Sequence, residues 1–548
     1  MLEEFDPSTI QDEALRQVVM SLMNLVESLH TKVQEQAEEI QRLRDENNRL
    51  KGEQGKPTIR PNKAATALSS EKERRESKPH HKASKQTQIR IDRVEVVKVE
   101  RERLPQDAQF KGYEEVIVQD IDFRTDTIKF RKEKYYSPGQ KRTYLAHLPA
   151  GYAGQFGPGV RAWVLALYYA GGMSEPKLLE LLQTVGMQIS AGQLSDLLIK
   201  DQEQFHAERA AVVRAGLSSS PWHHLDSTGT RVDGRNQHCH VLCNPLYSAY
   251  CTLPAKDRLS LLRVLLGGAD PSFRWNEGAL TLVEQLGLAQ KWCQKLTQLL
   301  PQEQEWKESQ LDEWLDEHLP KLGTKAHKLI KDAFAIAAYH TQTAYPVVEL
   351  LVCDDAPQFG WLTAECALCW VHEDRHYKKL TPCLAYHRQQ LEQFQEQFWK
   401  LYHRLLAYRH HPTPKEADDL RAEFERLFGQ SNDYEQLDKR KALTLAKKDR
   451  LLMVLSHPEI LLHNNPAELG ARQRVRKRDV SLQARTREGI GAWDTFQTLV
   501  STAKKLGVNI YQYLHDRMTH MNTLPSLAML IEERAKQFQF AASWLGVT

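Results

Sequence analysis

The chain has 548 residues, of which 41% are hydrophobic and 26% charged, with a net charge of +3. Such proportions are ordinary for three or four folded domains and exclude a collagen, a mucin or a wholly disordered chain. The longest stretch free of charged and strongly polar residues, 162–173, is 12 residues, short of the ~20 that span a bilayer, so no membrane partner is expected. The N-terminus is acidic and has no apolar h-region, and eight cysteines at this length make no disulfide framework. A reducing cytoplasm is the expected location.

Residues 1–50 carry a heptad. Val19, Val26, Val33, Ile40 and Asn47 recur every seven positions, and Leu22, Leu29, Gln36, Leu43 and Leu50 repeat three places later. β-Branched residues at a and leucines at d favour a parallel two-stranded coiled coil, with Asn47 fixing its register. A leucine zipper that makes a homodimer or higher oligomer is expected, against an amphipathic helix docked on its own chain. Residues 51–91 hold eleven Lys/Arg and four Glu, a net charge of +7, and read as a basic disordered linker. Residues 92–150 alternate at Val94/Val96, Val116/Val118 and Ile128/Phe130, with a turn signal at 124–127, and predict a small β-rich domain. In 151–215, glycine-rich punctuation leads into two short helices opened by Ser174 and Ser190. The second carries a capping box from Ser190 to Gln193. This pair predicts a helix-turn-helix-like DNA-binding region.

Residues 216–500 hold the chemistry. Asp226 lies on the first strand of an expected three-stranded antiparallel meander, with Asp233-Gly234 turning its first hairpin. A helical insertion is expected over about 260–345. The apolar run 347–353 reads as a strand covered on both faces, ending in Asp354 and Asp355. Near residue 465, Asn465 reads as a helix N-cap, Pro466 as N1 and Glu468 as N3. Glu468 then completes a capping box with Asn465, faces a metal, or does both. Residues 472–487 follow with seven Lys/Arg and one Asp, which makes Arg472, Arg474, Arg476, Lys477 and Arg478 candidate phosphate contacts. Cys366, Cys369, His372, His376 and Cys383 approach zinc spacing but lack the usual second pair of ligands, so zinc is not expected. Residues 501–548 form a C-terminal helical region.

Two Asp and one Glu brought together can hold two Mg²⁺ ions roughly 3.5–4 Å apart, which activate an attacking oxygen and stabilise a leaving oxygen at a phosphodiester. The fold class expected is α/β: a ribonuclease-H-like catalytic core with a helical insertion, preceded by a coiled coil, a small β-rich segment and a helical region. The sequence resembles the insertion-sequence-sixty-six family of bacterial DDE transposases. The resemblance is carried by His224-Leu-Asp226-Ser-Thr-Gly-Thr-Arg-Val-Asp-Gly234, Cys369-Trp-Val-His372, Asn464-Asn-Pro-Ala-Glu468, the stretch from Thr502 to Leu514, and the zipper ending in Leu43-Arg-Asp-Glu-Asn-Asn-Arg-Leu50.

By that resemblance Asp226, Asp354 and Glu468 are the catalytic and metal-binding triad, for two Mg²⁺ with Mn²⁺ as a substitute. Trp370, His372 and Arg375 support or contact DNA beside it. The implied function is strand cleavage at transposon ends and strand transfer into target DNA. Its partners are DNA, a second copy of the chain and, as a further candidate, accessory transposition proteins; the location is cytoplasmic and nucleoid-associated. The alternative is a DNA-binding regulatory protein with a catalytically dead transposase fold. Two departures stand out. Residues 52–238 contain no cysteine, so the zinc module that often follows the zipper is not expected. Asp355 stands where the family has glycine, which leaves Asp354 and Asp355 as alternatives.

Overall fold

The computed structural model describes residues 5–50, 91–100, 104–105, 108–121, 125–152 and 154–538. The basic linker therefore lies outside the described residues, apart from Ile91. The heptad region is one helix, α1 (Glu13–Leu50). Leu22, Val26, Leu29, Val33, Ile40 and Leu43 of its a/d seam are 39–61% exposed. A different face docks on the chain, where Met23 and Glu27 are buried and Asn24 bonds the backbone of Asp433 and Glu435. The amphipathic-helix reading thus describes the docked face, and the a/d seam points away from the chain.

Among the described residues, the expected β-rich domain holds one hairpin, β1 (Lys134–Ser137) with β2 (Arg142–Leu145). Val94, Val96, Val116, Val118, Ile128 and Phe130 are exposed and lie in no strand. Alternation specifies a strand only where a partner edge and a face to bury exist, and these segments have neither. Arg124, in the expected turn, lies outside the described residues; the observed turn is at 138–141.

Helix α2 (Pro158–Leu165) runs into a π-helical turn at Ala166–Ala170. The expected short pair follows as α3 (Glu175–Thr184) and α4 (Ala191–Ile199), with the Ser190–Gln193 capping box formed in both directions. Leu178, Leu182, Leu194 and Leu198 are buried in the core, and α5 (Glu203–Ser218) leads to the sheet.

Strands β3 (Trp222–Val232), β4 (Arg235–Cys243) and β5 (Ser248–Leu253) form the expected meander. Its first turn has Asp233 at φ 48° and Gly234 at φ 71°, the left-handed pair that a two-residue hairpin needs. The insertion is helical as expected: α6 (Arg258–Leu265), α7 (Glu277–Gln285), α8 (Gln290–Leu299), α9 (Glu308–His318) and α10 (Thr324–Thr341). It also holds a short antiparallel pair, β6 (Phe273–Trp275) with β7 (Gln304–Trp306).

Strands β8 (Leu350–Cys353) and β9 (Glu365–Leu368) then add in parallel to β3, giving a five-stranded mixed sheet of order β5-β4-β3-β8-β9. After α11 (Trp370–Tyr377) comes a second helical lobe, α12 (Ala385–Tyr408), α13 (Pro414–Gly429), α14 (Glu435–Leu445) and α15 (Lys448–Leu451). Helices α16 (Asn465–Ser481) and α17 (Arg487–Lys505) return to pack on β3–β5, followed by α18 (Ile510–Met518) and α19 (Leu527–Phe538). Among the described residues no helix is long and apolar enough to cross a membrane.

Candidate active site

The sheet brings the two aspartates together. In the parallel pairing of β3 with β8, His224 is opposite Val352; two residues further along each chain stand Asp226, in the middle of β3, and Asp354, just past the carboxyl end of β8. Glu468 arrives from above the sheet. Asp226 pairs across β4 with Val241, and Val241 packs under α16 at Gly470. A Cβ on that glycine would lie 2.6 Å from Val241 Cγ1, so only glycine lets the helix sit this low over the strand that carries Asp226.

The start of α16 is pinned by Asn464, which is fully buried. Its Oδ1 accepts from His224 Nδ1 at 3.0 Å and its Nδ2 donates to the Leu225 carbonyl at 2.8 Å. Its backbone N–H points at Cys369 Sγ, 3.3 Å away. Burial brings His224 down to about 3, so the ring is neutral and Nδ1 carries the donated proton. This geometry corrects the capping assignment. The N-cap is Asn464, not Asn465, and no side chain caps the helix. Glu468 completes no capping box and turns instead toward α11, where Arg375 lies 3.1 Å and His372 Nδ1 3.5 Å from its carboxylate.

Electrostatics set Asp226 apart. Burial, reinforced by the charges of Asp354 and Glu468, raises it to about 6, although the Ser227 N–H and Arg375 act in the opposite direction. Asp354 Oδ1 accepts only from the Ala356 N–H, at 3.1 Å, among the hydrogen bonds of its side chain. Asp355 is paired with Lys447 at 2.5 Å and Arg450 at 3.5 Å. Of the two, Asp354 faces Asp226 and Asp355 is held in ion pairs.

Glu468 Oε1 and His372 Nδ1 are buried without hydrogen-bond partners, and Cys369, His372 and Glu468 present ligand atoms within 4.8 Å of one another. Arg375 is paired with Glu468 and also acts on Asp226. The carboxylates of Asp226, Asp354 and Glu468 are the oxygen donors of this region, a chemistry that suits a hard divalent cation such as Mg²⁺.

The candidate DNA contacts divide by helical face. Arg472 and Arg476 are exposed. Arg478 is half-buried and donates to the Gly229 carbonyl at 2.6 Å. Two of the five are corrected: Arg474 is fully buried and paired with Asp494, and Lys477 is buried against the Tyr168 ring while donating to the Tyr168 carbonyl at 3.0 Å. Both occupy the side of α16 that meets the core, so neither presents its charge to a phosphate. Trp370 is corrected likewise: it is fully buried, and its indole N–H donates to the Leu451 carbonyl at 2.8 Å. His372 and Arg375 bond one another at 2.8 Å and face Glu468.

Of the cysteine–histidine cluster, Cys369 and His372 stay together, while Cys366 and Cys383 lie elsewhere. Cys366 lies 3.5 Å from Cys353, Cys369 lies beside Glu468, and Cys383 lies beside α1. The positioning residues Asn464 and Gly470 were not singled out from sequence. The signal for Asn464 was present in the Asn464-Asn465 pair, whose roles differ by one residue.

The Transposase IS66 family matches residues 307–492, a span that holds Asp354 and Glu468, and the chain belongs to that family. Over 327 residues it is 30% identical to the uncharacterized protein y4jO of Sinorhizobium fredii (strain NBRC 101917 / NGR234), a match covering 59% of this chain and all of that protein.

Asp226 gives a pH dependence of stability. Held at about 6 against an ordinary 3.8, it binds its proton more tightly in the folded chain than in the unfolded one. Its contribution is therefore full below pH 3.8 and lost as pH rises through 6. Asp226→Asn is expected to raise the melting temperature of the metal-free protein at pH 7.5 by a few degrees, with the gain vanishing near pH 4. Equal melting curves at pH 7.5 contradict this electrostatic account.

Proposed function

We propose that the protein is a DDE-type transposase with a ribonuclease-H-like core, which cleaves strands at transposon ends and joins them to target DNA in a Mg²⁺-dependent reaction. The observation that carries the reading is the approach of Asp354, at the carboxyl end of β8, and Glu468, on α16, to Asp226 in the middle of β3, where both charges act on its carboxylate. The order β5-β4-β3-β8-β9, with β4 alone antiparallel to both of its neighbours, supports the ribonuclease-H-like assignment. Asp226, Asp354 and Glu468 would hold two Mg²⁺, with Mn²⁺ as a substitute. Bound there, such ions activate the attacking oxygen and stabilise the leaving oxygen of a phosphodiester.

The chain's own groups do the rest. Asn464 fixes where Glu468 enters, Lys447 and Arg450 keep Asp355 out of the donor set, and Arg375 balances Glu468 and is half exposed beside it. On the outer face of α16, Arg472 and Arg476 are free to meet the DNA backbone. The exposed a/d seam of α1 supports pairing with a second copy, as a two-stranded coil requires. The regulatory alternative keeps the DNA contacts and the dimer but gives no reason for three half-buried carboxylates to lie near one another.

Three experiments test this reading. Asp226→Asn, Asp354→Asn and Glu468→Gln should each reduce Mg²⁺-dependent cleavage of transposon-end DNA to background while leaving DNA binding intact. Asp355→Asn should keep cleavage and lose thermal stability, because Lys447 and Arg450 each lose an ion pair. Cleavage by all three amide variants removes the assignment. Replacing Arg472 and Arg476 together by Ala should weaken DNA binding and lower the slope of log affinity against log salt by about 2; an unchanged slope places DNA elsewhere. Leu22→Asp with Leu29→Asp should halve the sedimentation mass at micromolar concentration, and an unchanged mass excludes the seam as the dimer contact.

A further inference from the structure

The long helix and the second helical lobe meet around a buried carboxylate. Glu27 is 1% exposed. Its Oε2 accepts from the Cys383 N–H at 3.0 Å and its Oε1 from the Leu384 N–H at 2.9 Å, with His387 Nδ1 at 3.3 Å. These are the orphan donors at the start of α12, whose own N-cap, Leu384, has no side-chain group to offer. Burial alone would raise Glu27, but the bonds from His387, Leu384 and Cys383 hold it at about 2, so a carboxylate is present at the junction across the working pH range.

One turn along α1, His30 reaches the same place. A Glu27 oxygen, a His30 ring nitrogen and the Cys383 sulfur all lie within 4.8 Å of one another. His30 Nδ1 is buried without a hydrogen-bond partner, and so is Nε2 of the fully buried His387. A carboxylate, an imidazole and a thiol around one point, with a second imidazole adjoining, form a donor set of borderline softness. That composition suits zinc and not Mg²⁺ or Ca²⁺, which take oxygen ligands.

The spacing is also favourable. Glu27 and His30 stand three residues apart on one helix, a spacing that projects them to a common side, and Cys383 lies just before the N-cap of α12, whose first turn carries His387. Sequence spacing around Cys383 lacked a second ligand pair because that pair lies on α1, at the other end of the chain.

We propose that Glu27, His30 and Cys383 bind a zinc-class divalent ion, and that this ion clamps the zipper helix to the helical lobe. Binding forms a bond from the metal to the Cys383 sulfur and releases the thiol proton to solvent. The clamp uses the face of α1 opposed to the lobe and leaves the a/d seam open, so it sets the angle at which a paired copy stands relative to the catalytic sheet.

The test uses the full-length protein, stripped with a chelator and titrated with Zn²⁺ against a colorimetric competitor, and in parallel with Co²⁺ to read the thiolate-to-metal charge-transfer band. One equivalent of Zn²⁺ and a thiolate band are expected. Cys383→Ser should abolish the band, and His30→Ala should weaken Zn²⁺ binding at least tenfold. Cys369→Ser, which alters the sulfur beside His372 and Glu468, should change neither. His30→Ala removes no hydrogen bond of the Glu27 cap, so it remains informative if Cys383→Ser does not fold. Failure to bind Zn²⁺, unchanged affinity in His30→Ala, or loss of the band in Cys369→Ser would overturn the proposal.

Discussion

Asn464 has a carboxamide with no access to water, and both of its ends are bonded to β3: the oxygen to His224, the nitrogen to the Leu225 carbonyl. Asp226 is the next residue of that strand, and Glu468 stands one helical turn beyond Asn464. Two carboxylates remote in sequence are therefore positioned by a single buried amide, which accepts and donates at once and so tolerates neither Asp nor Leu without an orphaned partner. His224 must stay neutral for this bond, and its burial ensures that it does. Gly470 then allows α16 to lie low enough on Val241 for the approach to hold.

Charge is the second constraint. The sheet edge gathers four carboxylates, and the chain distributes its cations among them unevenly. Lys447 and Arg450 take Asp355, and Arg375 takes Glu468. Asp226 has no ion pair of its own, and its burial, reinforced by the charges of Asp354 and Glu468 and only partly offset by Arg375, raises its pKa. Perturbation of this kind is common where function requires charges that folding would avoid. In the absence of a cation, the arrangement holds Glu468 in place through a partner that is itself half exposed and able to move.

The meander, its Asp233-Gly234 turn, the buried strand before Asp354, the helical insertion and the Ser190 capping box were all legible, because each is written in local periodicity or turn chemistry. Three features were not. The alternating segments between residues 94 and 130 have the period of strands but find no edge to pair with, and period alone does not supply one. The lobe from α12 to α15 is composed of ordinary amphipathic helices, which say nothing about where they interrupt a sheet domain. The third is the cap at α16. Two adjacent asparagines offer the same chemistry, and only the packing of His224 decides that Asn464 ends the loop and Asn465 begins the helix.

The basic helix shows why counting cations overstates a nucleic-acid surface. Its charges recur so densely that some must fall on the inward face, where α16 meets β4, α17 and the π-helical turn. Arg474 there is paired with Asp494, which in turn accepts from the backbone and hydroxyl of Thr252. Removing one partner of such a buried pair costs about 3–5 kcal/mol. Lys477 lies against Tyr168, with Tyr169 and Trp493 near it, and burial brings it down to about 7. It thereby fixes the helical region before the sheet onto the same helix that carries Glu468. The inward cations make α16 a structural joint, and the outward Arg472 and Arg476 are left as the part of its charge that a DNA backbone can reach.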